Sequence, residues 1–249
     1  MAGAAQATAG PGAGTPETPL LLLFDIDGTL LHRAAAAHSD ALHEALRQVH
    51  GVDTRAVRAQ ISPAGRTDGD IARLLLLGAG VSARAIDEGV VAVRAACCEA
   101  YARLCPPDLS DKVLPAIADL LTWLDARADV RLSLVTGNYE PVARLKLTRA
   151  GLGRHFPSGQ GGFGSDSDDR AALPGIARQR AGVNGVPHSR RRTLVIGDTP
   201  RDIACARADE IRCLAVTTGP YEASELSQAD GVATDPGQLR ELLEAALAT

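Results

Sequence analysis

The chain has 249 residues, of which 45% are hydrophobic and 22% charged, with a formal net charge of -4; that suffices for a full core in one large or two small domains. There is no basic surplus for nucleic acid, and 3% aromatic residues leave little for base stacking, so nucleic-acid binding is not expected. Cys97, Cys98, Cys105, Cys205 and Cys213 are odd in number and form no CxxC pair, which argues against a disulfide framework or a zinc site and predicts reduced thiols.

Residues 1–18 read as a flexible leader, rich in Ala, Gly, Pro and Thr. The apolar run behind them is too short for a signal peptide or a membrane span, so a cytoplasmic protein without membrane contact is expected. Strand-like runs then alternate with helical periodicity, the pattern of an α/β fold with a parallel sheet. A first strand over 20–25 precedes helical stretches over 35–50, 68–77 and 82–104. Leu42, Leu46 and Val49 line one face of the first stretch; Val93, Cys97, Tyr101 and Leu104 line one face of the third. Pro106 and Pro107 close this helical module. The alternation resumes with a helix over 115–126, a strand over 130–135, a helix opened by Pro141, a strand over 193–196, a helix to 208 and a strand over 212–216.

Three of these strands end in polar residues: Asp25-Ile26-Asp27-Gly28-Thr29, Thr136-Gly137-Asn138 and Gly197-Asp198-Thr199-Pro200. Side chains two apart on a strand share a side, so Asp25 and Asp27 can face one site. Their mutual repulsion calls for a hard divalent cation with oxygen ligands, Mg2+ being usual beside phosphate. In parallel α/β sheets, ligands bind outside the carboxyl ends of the strands. Taken singly, each motif also fits a plainer role, an Asp-Gly turn or a Thr or Asn helix cap. Their convergence at one sheet edge favours a site.

Taken together, the segments 25–30, 134–138 and 197–202 resemble the first, second and fourth motifs of the haloacid dehalogenase superfamily. The likeness is strongest to its phosphoglycolate-phosphatase-like and β-phosphoglucomutase-like members, which carry an α-helical cap inserted after the first strand. The resemblance implies a Rossmann-like α/β core over 19–31 and 112–249, with an all-α cap over 32–111. It further implies Asp25 as nucleophile, Asp27 as general acid and base, and Mg2+ held by Asp25, Asp198 and the Asp27 backbone carbonyl. Thr136 would hydrogen-bond the transferring phosphoryl group, helped by the loop at Gly137 and Asn138, and Asp202 would support the metal from behind.

One family feature is missing: the third motif usually supplies a Lys, and no Lys stands there. Lys146 is placed about five residues into the Pro141 helix, hence roughly 8 Å down its axis at 1.5 Å per residue, and is expected to point away from the site. Arg170 is expected to take the role, since a guanidinium stays charged and grips carboxylate or phosphate with two prongs; the alternative is a surface ion pair with Asp166, Asp168 or Asp169. In the insertion, Arg66 of Ser62-Pro63-Ala64-Gly65-Arg66-Thr67-Asp68 is a candidate for an anionic substrate group, or Thr67 or Asp68 simply caps a helix beginning near Asp70. His38, His43 and His50 read as solvated or internally satisfied imidazoles. His32 is a weaker candidate for substrate contact.

The expected function is a Mg2+-dependent phosphatase acting on a small phosphorylated metabolite, of the phosphoglycolate or sugar phosphate type, through an aspartyl-phosphate. A sugar phosphomutase of the same fold and a non-catalytic phosphoacceptor module are the alternatives. A dehalogenase is disfavoured because the superfamily's true dehalogenases lack the second acid, here Asp27.

Overall fold

The computed structural model describes residues 18–57 and 61–248; most of the leader assigned to 1–18 lies outside them. A six-stranded parallel sheet forms the centre, in the order β3-β2-β1-β4-β5-β6. Its strands are β1 (Leu20–Phe24), β2 (Val130–Thr136), β3 (Gly162–Phe163), β4 (Thr193–Gly197), β5 (Arg212–Val216) and β6 (Gly231–Ala233). The run Leu-Leu-Leu-Leu-Phe makes β1 the middle of the sheet because a parallel strand covered on both faces has no side to give to water. All five residues are buried, each contributing roughly 1.5–3 kcal/mol by leaving water.

Alternation along β1 divides the core. Leu20, Leu22 and Phe24 face one cluster with Leu132, Leu134 and Ile196. Leu21 and Leu23 face the other with Val135 and Val195. Helices α4 (Ile117–Asp125), α5 (Glu140–Arg149) and α8 (Pro236–Leu247) cover the first face, whereas α6 (Leu173–Ala181) and α7 (Pro200–Ala208) cover the second.

Between β1 and β2 the chain forms α1 (Ala36–His50), α2 (Asp68–Gly78) and α3 (Ala83–Leu104), the all-α insertion expected from the sequence. Leu42, Leu46, Leu75, Val93 and Tyr101 pack its interior. The insertion is seated on the strand ends. Asp68 N–H donates to the Gly137 carbonyl at 2.8 Å, Thr67 Oγ1 to the Asp168 carbonyl at 2.7 Å, and Arg201 to the Ala64 carbonyl at 2.9 Å. Gly137 is required by this seat, since a Cβ there would lie 2.0 Å from the Arg66 carbonyl oxygen. Among the described residues no helix is long and apolar enough to cross a membrane, and all five cysteines are free thiols.

Candidate active site

Hydrogen bonding within the sheet sets the first position. Asp25 N–H donates to the Ile196 carbonyl at 2.9 Å, so the chain is still held as a strand when its first carboxylate emerges between β2 and β4. Gly28 then turns with φ +91°, and a Cβ there would come within 2.2 Å of the Asp198 carboxylate. The β1 loop and the β4 end approach so closely only because residue 28 has no side chain.

Asp25, Asp198 and Asp202 form a buried cluster, with carboxylate oxygens all within 4.8 Å of one another. Their partners distinguish them. Asp202 is the third residue of α7 and completes a capping box with Thr199. Its Oδ2 accepts from Thr199 N–H at 3.0 Å and Thr199 Oγ1 at 2.7 Å, and its Oδ1 accepts from Arg170. Both of its oxygens are therefore occupied, which suits holding Arg170 better than binding an ion. Asp198 accepts from Thr29 Oγ1 at 3.1 Å on Oδ1, and Asp25 faces Arg170 at 3.4 Å.

Burial pushes both the Asp25 and the Asp198 carboxyl above the ordinary carboxylate range. For Asp25 the guanidinium of Arg170 opposes this, while Asp202 and Asp27 add to it; for Asp198 the charges of Asp25 and Asp202 add further. Two such carboxylates with open oxygen lone pairs fit a hard divalent cation, which would relieve the repulsion between them.

Arg170 stands where the sequence places it. It is 8% exposed, so a surface ion pair is ruled out, and Asp169 instead caps the short turn in which Arg170 lies. Among the described residues its Nε is buried with no oxygen or nitrogen acceptor, and the Cys205 thiol lies against the guanidinium. Arg170→Ala should cost about 3 kcal/mol of transition-state stabilisation, roughly a hundredfold in kcat/KM. A loss under about 1 kcal/mol in steady-state kinetics would reduce Arg170 to a brace for Asp202.

Lys146 corrects the expectation that it points away. It is fully buried, and its Nζ donates to Asp27 Oδ1 at 2.9 Å and Oδ2 at 2.6 Å and to Asn138 Oδ1 at 2.7 Å, with His38 Nδ1 at 3.2 Å. Axial rise measures only where the Cα sits. On a helix the Cα–Cβ bond tilts toward the N-terminus, so the long stem of Lys146 runs back beside Val142 and Ala143 to the strand end. Asn138 secures the same carboxylate, donating from Nδ2 to Asp27 Oδ2 at 2.9 Å.

Burial alone would raise the Asp27 carboxyl. The charges of Lys146 and His38 and the bonds from Lys146 and Asn138 outweigh it and hold the group below its usual range. The chain of contacts continues into the insertion, where His38 Nε2 meets Asp68 Oδ2 at 3.0 Å and that oxygen accepts Tyr139 N–H at 2.7 Å. Reading His38 as internally satisfied is correct; its partner Lys146 is what the sequence reasoning missed. A charged residue among Val142, Ala143 and Leu147 on the buried face of α5 was the signal.

The remaining candidates are placed as follows. Thr136 is fully buried, and its Oγ1 accepts from Asn138 Nδ2 at 3.1 Å. Gly137 and Asn138 line a cavity of about 590 Å³ together with Asp25, Asp27, Arg66, Arg170 and Asp198. Arg66 lies on that wall with its guanidinium on Asp70 at 2.5 Å and on the Ser62 carbonyl at 3.1 Å. Thr67 caps α2, accepting from Asp70 N–H at 3.2 Å. His32 also lines the cavity.

A family model described as haloacid dehalogenase-like hydrolase matches residues 22–207, which include every one of these strand ends. The chain belongs to that family. As a haloacid dehalogenase-like hydrolase it is similar to phosphoglycolate phosphatase 1 of Pseudomonas aeruginosa, with 31% identity over 206 residues, 81% of this chain and 70% of the relative. It is similar in the same degree to tyrosine-protein kinase PtkA of Mycobacterium tuberculosis, with 30% identity over 92% of this chain and 73% of the relative. Among solved structures, β-phosphoglucomutase from Clostridium difficile superposes with a TM-score of 0.67 at 18% identity, covering 93% of this chain and 98% of that one. At that identity the likeness concerns the fold, a Rossmann-like core with an inserted helical cap.

Proposed function

We propose that this haloacid dehalogenase-like hydrolase is a Mg2+-dependent phosphatase that cleaves a phosphomonoester through an aspartyl-phosphate on Asp25. The observation that carries this reading is the position of Asp25, a buried carboxylate facing a cavity with Arg170 on one side and Asp198 on the other. In the first half-reaction a carboxylate oxygen of Asp25 attacks phosphorus, the ester P–O bond breaks, and Asp27 gives its proton to the departing oxygen. In the second half, water attacks phosphorus, its proton passes to Asp27, and the bond from phosphorus to Asp25 breaks to release phosphate. Asp25, Asp198 and the Asp27 backbone carbonyl would hold Mg2+, which when bound neutralises charge on the phosphate oxygens.

Lys146 and Asn138 stabilise the ionised form of Asp27, the form that accepts a proton from water. The first half needs the protonated form, and the negative charge of an arriving phosphate favours proton uptake. Thr136 keeps its hydroxyl hydrogen to donate, and the Arg170 guanidinium, beside Asp25, binds the phosphoryl oxygens.

Release of inorganic phosphate from a panel of phosphorylated sugars, glycolate phosphate and nucleotides, with Mg2+ and then with a chelator, tests the reading. No release from any member would sink it, and an isomerised sugar phosphate in place of free phosphate would make the protein a mutase. The PtkA relative carries a second reading, phosphoryl transfer to a tyrosyl hydroxyl, which labelled phosphate appearing on a tyrosine peptide in place of water would establish.

Metal should also register in stability. A carboxyl raised by folding binds its proton more tightly in the folded state, so the metal-free protein loses stability as pH climbs from the unfolded value of 3.8 through the raised ones. Mg2+ should therefore raise Tm more at about pH 8 than at about pH 5, where protons already occupy the site. Asp198→Asn should remove most of that gain and weaken Mg2+ activation more than substrate binding. A Tm indifferent to Mg2+ at both pH values would refute the assignment.

A further inference from the structure

The cavity over Asp25 has a volume of about 590 Å³, within the size range of sites that engulf drug-sized ligands. A phosphate carrying a two-carbon acid would leave much of it unfilled. Away from the carboxylates the wall has an aliphatic lobe, with Leu31 and Leu114 from the core and Leu42, Ile61, Ile71 and Leu75 from the insertion.

Several polar groups on the same wall are already paired within the protein, although His32 and Ser39 also line it. Asp68 is held by His38 and Tyr139 N–H, Arg66 by Asp70 and the Ser62 carbonyl, and His43 by Thr54 at 2.7 Å. Sugar hydroxyls laid against the aliphatic lobe would lose their water with little to replace it, as would a second carboxylate. The lining cation Arg33 is exposed, so an anion beside it keeps its solvent and gains little.

We infer that the group esterified to the phosphate is apolar, and that the substrate class is the phosphomonoester of a hydrophobic alcohol. This rests on the phosphatase reading and adds its specificity. The phosphate occupies the carboxylate end with Arg170; the hydrocarbon fills the aliphatic lobe beneath α1 and α2. Each methylene that enters the lobe leaves water, and with about 0.8 kcal/mol per methylene kcat/KM rises roughly threefold to fourfold.

The experiment follows phosphate release by the full chain with Mg2+ from n-alkyl phosphates, ethyl to hexyl, beside phosphoglycolate and glucose 6-phosphate. Hexyl phosphate is expected to exceed ethyl phosphate in kcat/KM by on the order of a hundredfold, and to exceed both polar substrates. A flat or falling series, with phosphoglycolate or glucose 6-phosphate turned over faster, overturns the inference and leaves the phosphatase reading standing. Absence of phosphate release from every member removes that reading and the inference together. Ile71, only half-buried, tolerates substitution, and Ile71→Gln should lower hexyl phosphate about tenfold more than ethyl phosphate. Equal losses for the two esters would also overturn the apolar lobe.

Discussion

Asp25→Asn is expected to lower phosphate release by at least about four orders of magnitude, because an amide oxygen cannot form the covalent intermediate and the remaining donors only bind. The sign of its effect on stability is just as informative. Asp25 is pushed up by burial and by Asp202 and Asp27, so above pH 3.8 its charge opposes folding in the metal-free protein. Removing the charge should leave Tm unchanged or raise it in a chelating buffer near neutral pH. Arg170 keeps Asp202 as its partner, so no buried cation is orphaned by the change. A folded Asp25→Asn protein that still turns over would place the nucleophile elsewhere. One that loses several degrees of Tm without metal would mean that the Arg170 contact, at 3.4 Å, outweighs the repulsion.

How far the sequence carried is best seen strand by strand. β1, β2, β4 and β5 were legible because each carries enough apolar residues for burial to show, and β1, β2 and β4 also end in residues whose chemistry contrasts with the run. β3 has two residues and β6 has three, too few for any period to register. Pro174 lies in the first turn of α6, where proline is tolerated. The carboxylates at the strand ends follow from topology, because parallel strands present their ends at one edge, so Asp25 and Asp198 meet once β1 pairs with β4. Side-chain reach does not follow from topology. The place of Arg170 in the chain puts it beside Asp25, whereas the expectation for Lys146 fails because a long side chain travels back along its helix as far as the strand end. The link between His38 and Asp68 joins α1 to the start of α2, and no local pattern in either helix announces it.

Lys146→Met should lower kcat by roughly tenfold to a hundredfold with little change in KM, part of the range that general acid and base catalysis contributes. Methionine matches the unbranched stem and keeps the enclosed volume filled. The stability cost is limited because Asp27 has a side chain 30% exposed and keeps Asn138, while His38 keeps Asp68. A loss well short of the about 3–5 kcal/mol typical of breaking a fully buried pair is therefore expected. What separates a positioning role from a merely structural one is the pH profile. Lys146 is the largest of the influences that lower the Asp27 carboxyl, and burial works the other way. Without the ammonium, the limb of the kcat/KM profile set by Asp27 must move to higher pH. Lys146→Arg should not restore activity, since a planar fork cannot take the place of a compact ammonium among Asp27, Asn138 and His38. A variant that loses Tm while kcat and both limbs of the profile stay at wild-type values would confine Lys146 to fastening the helical insertion onto the core.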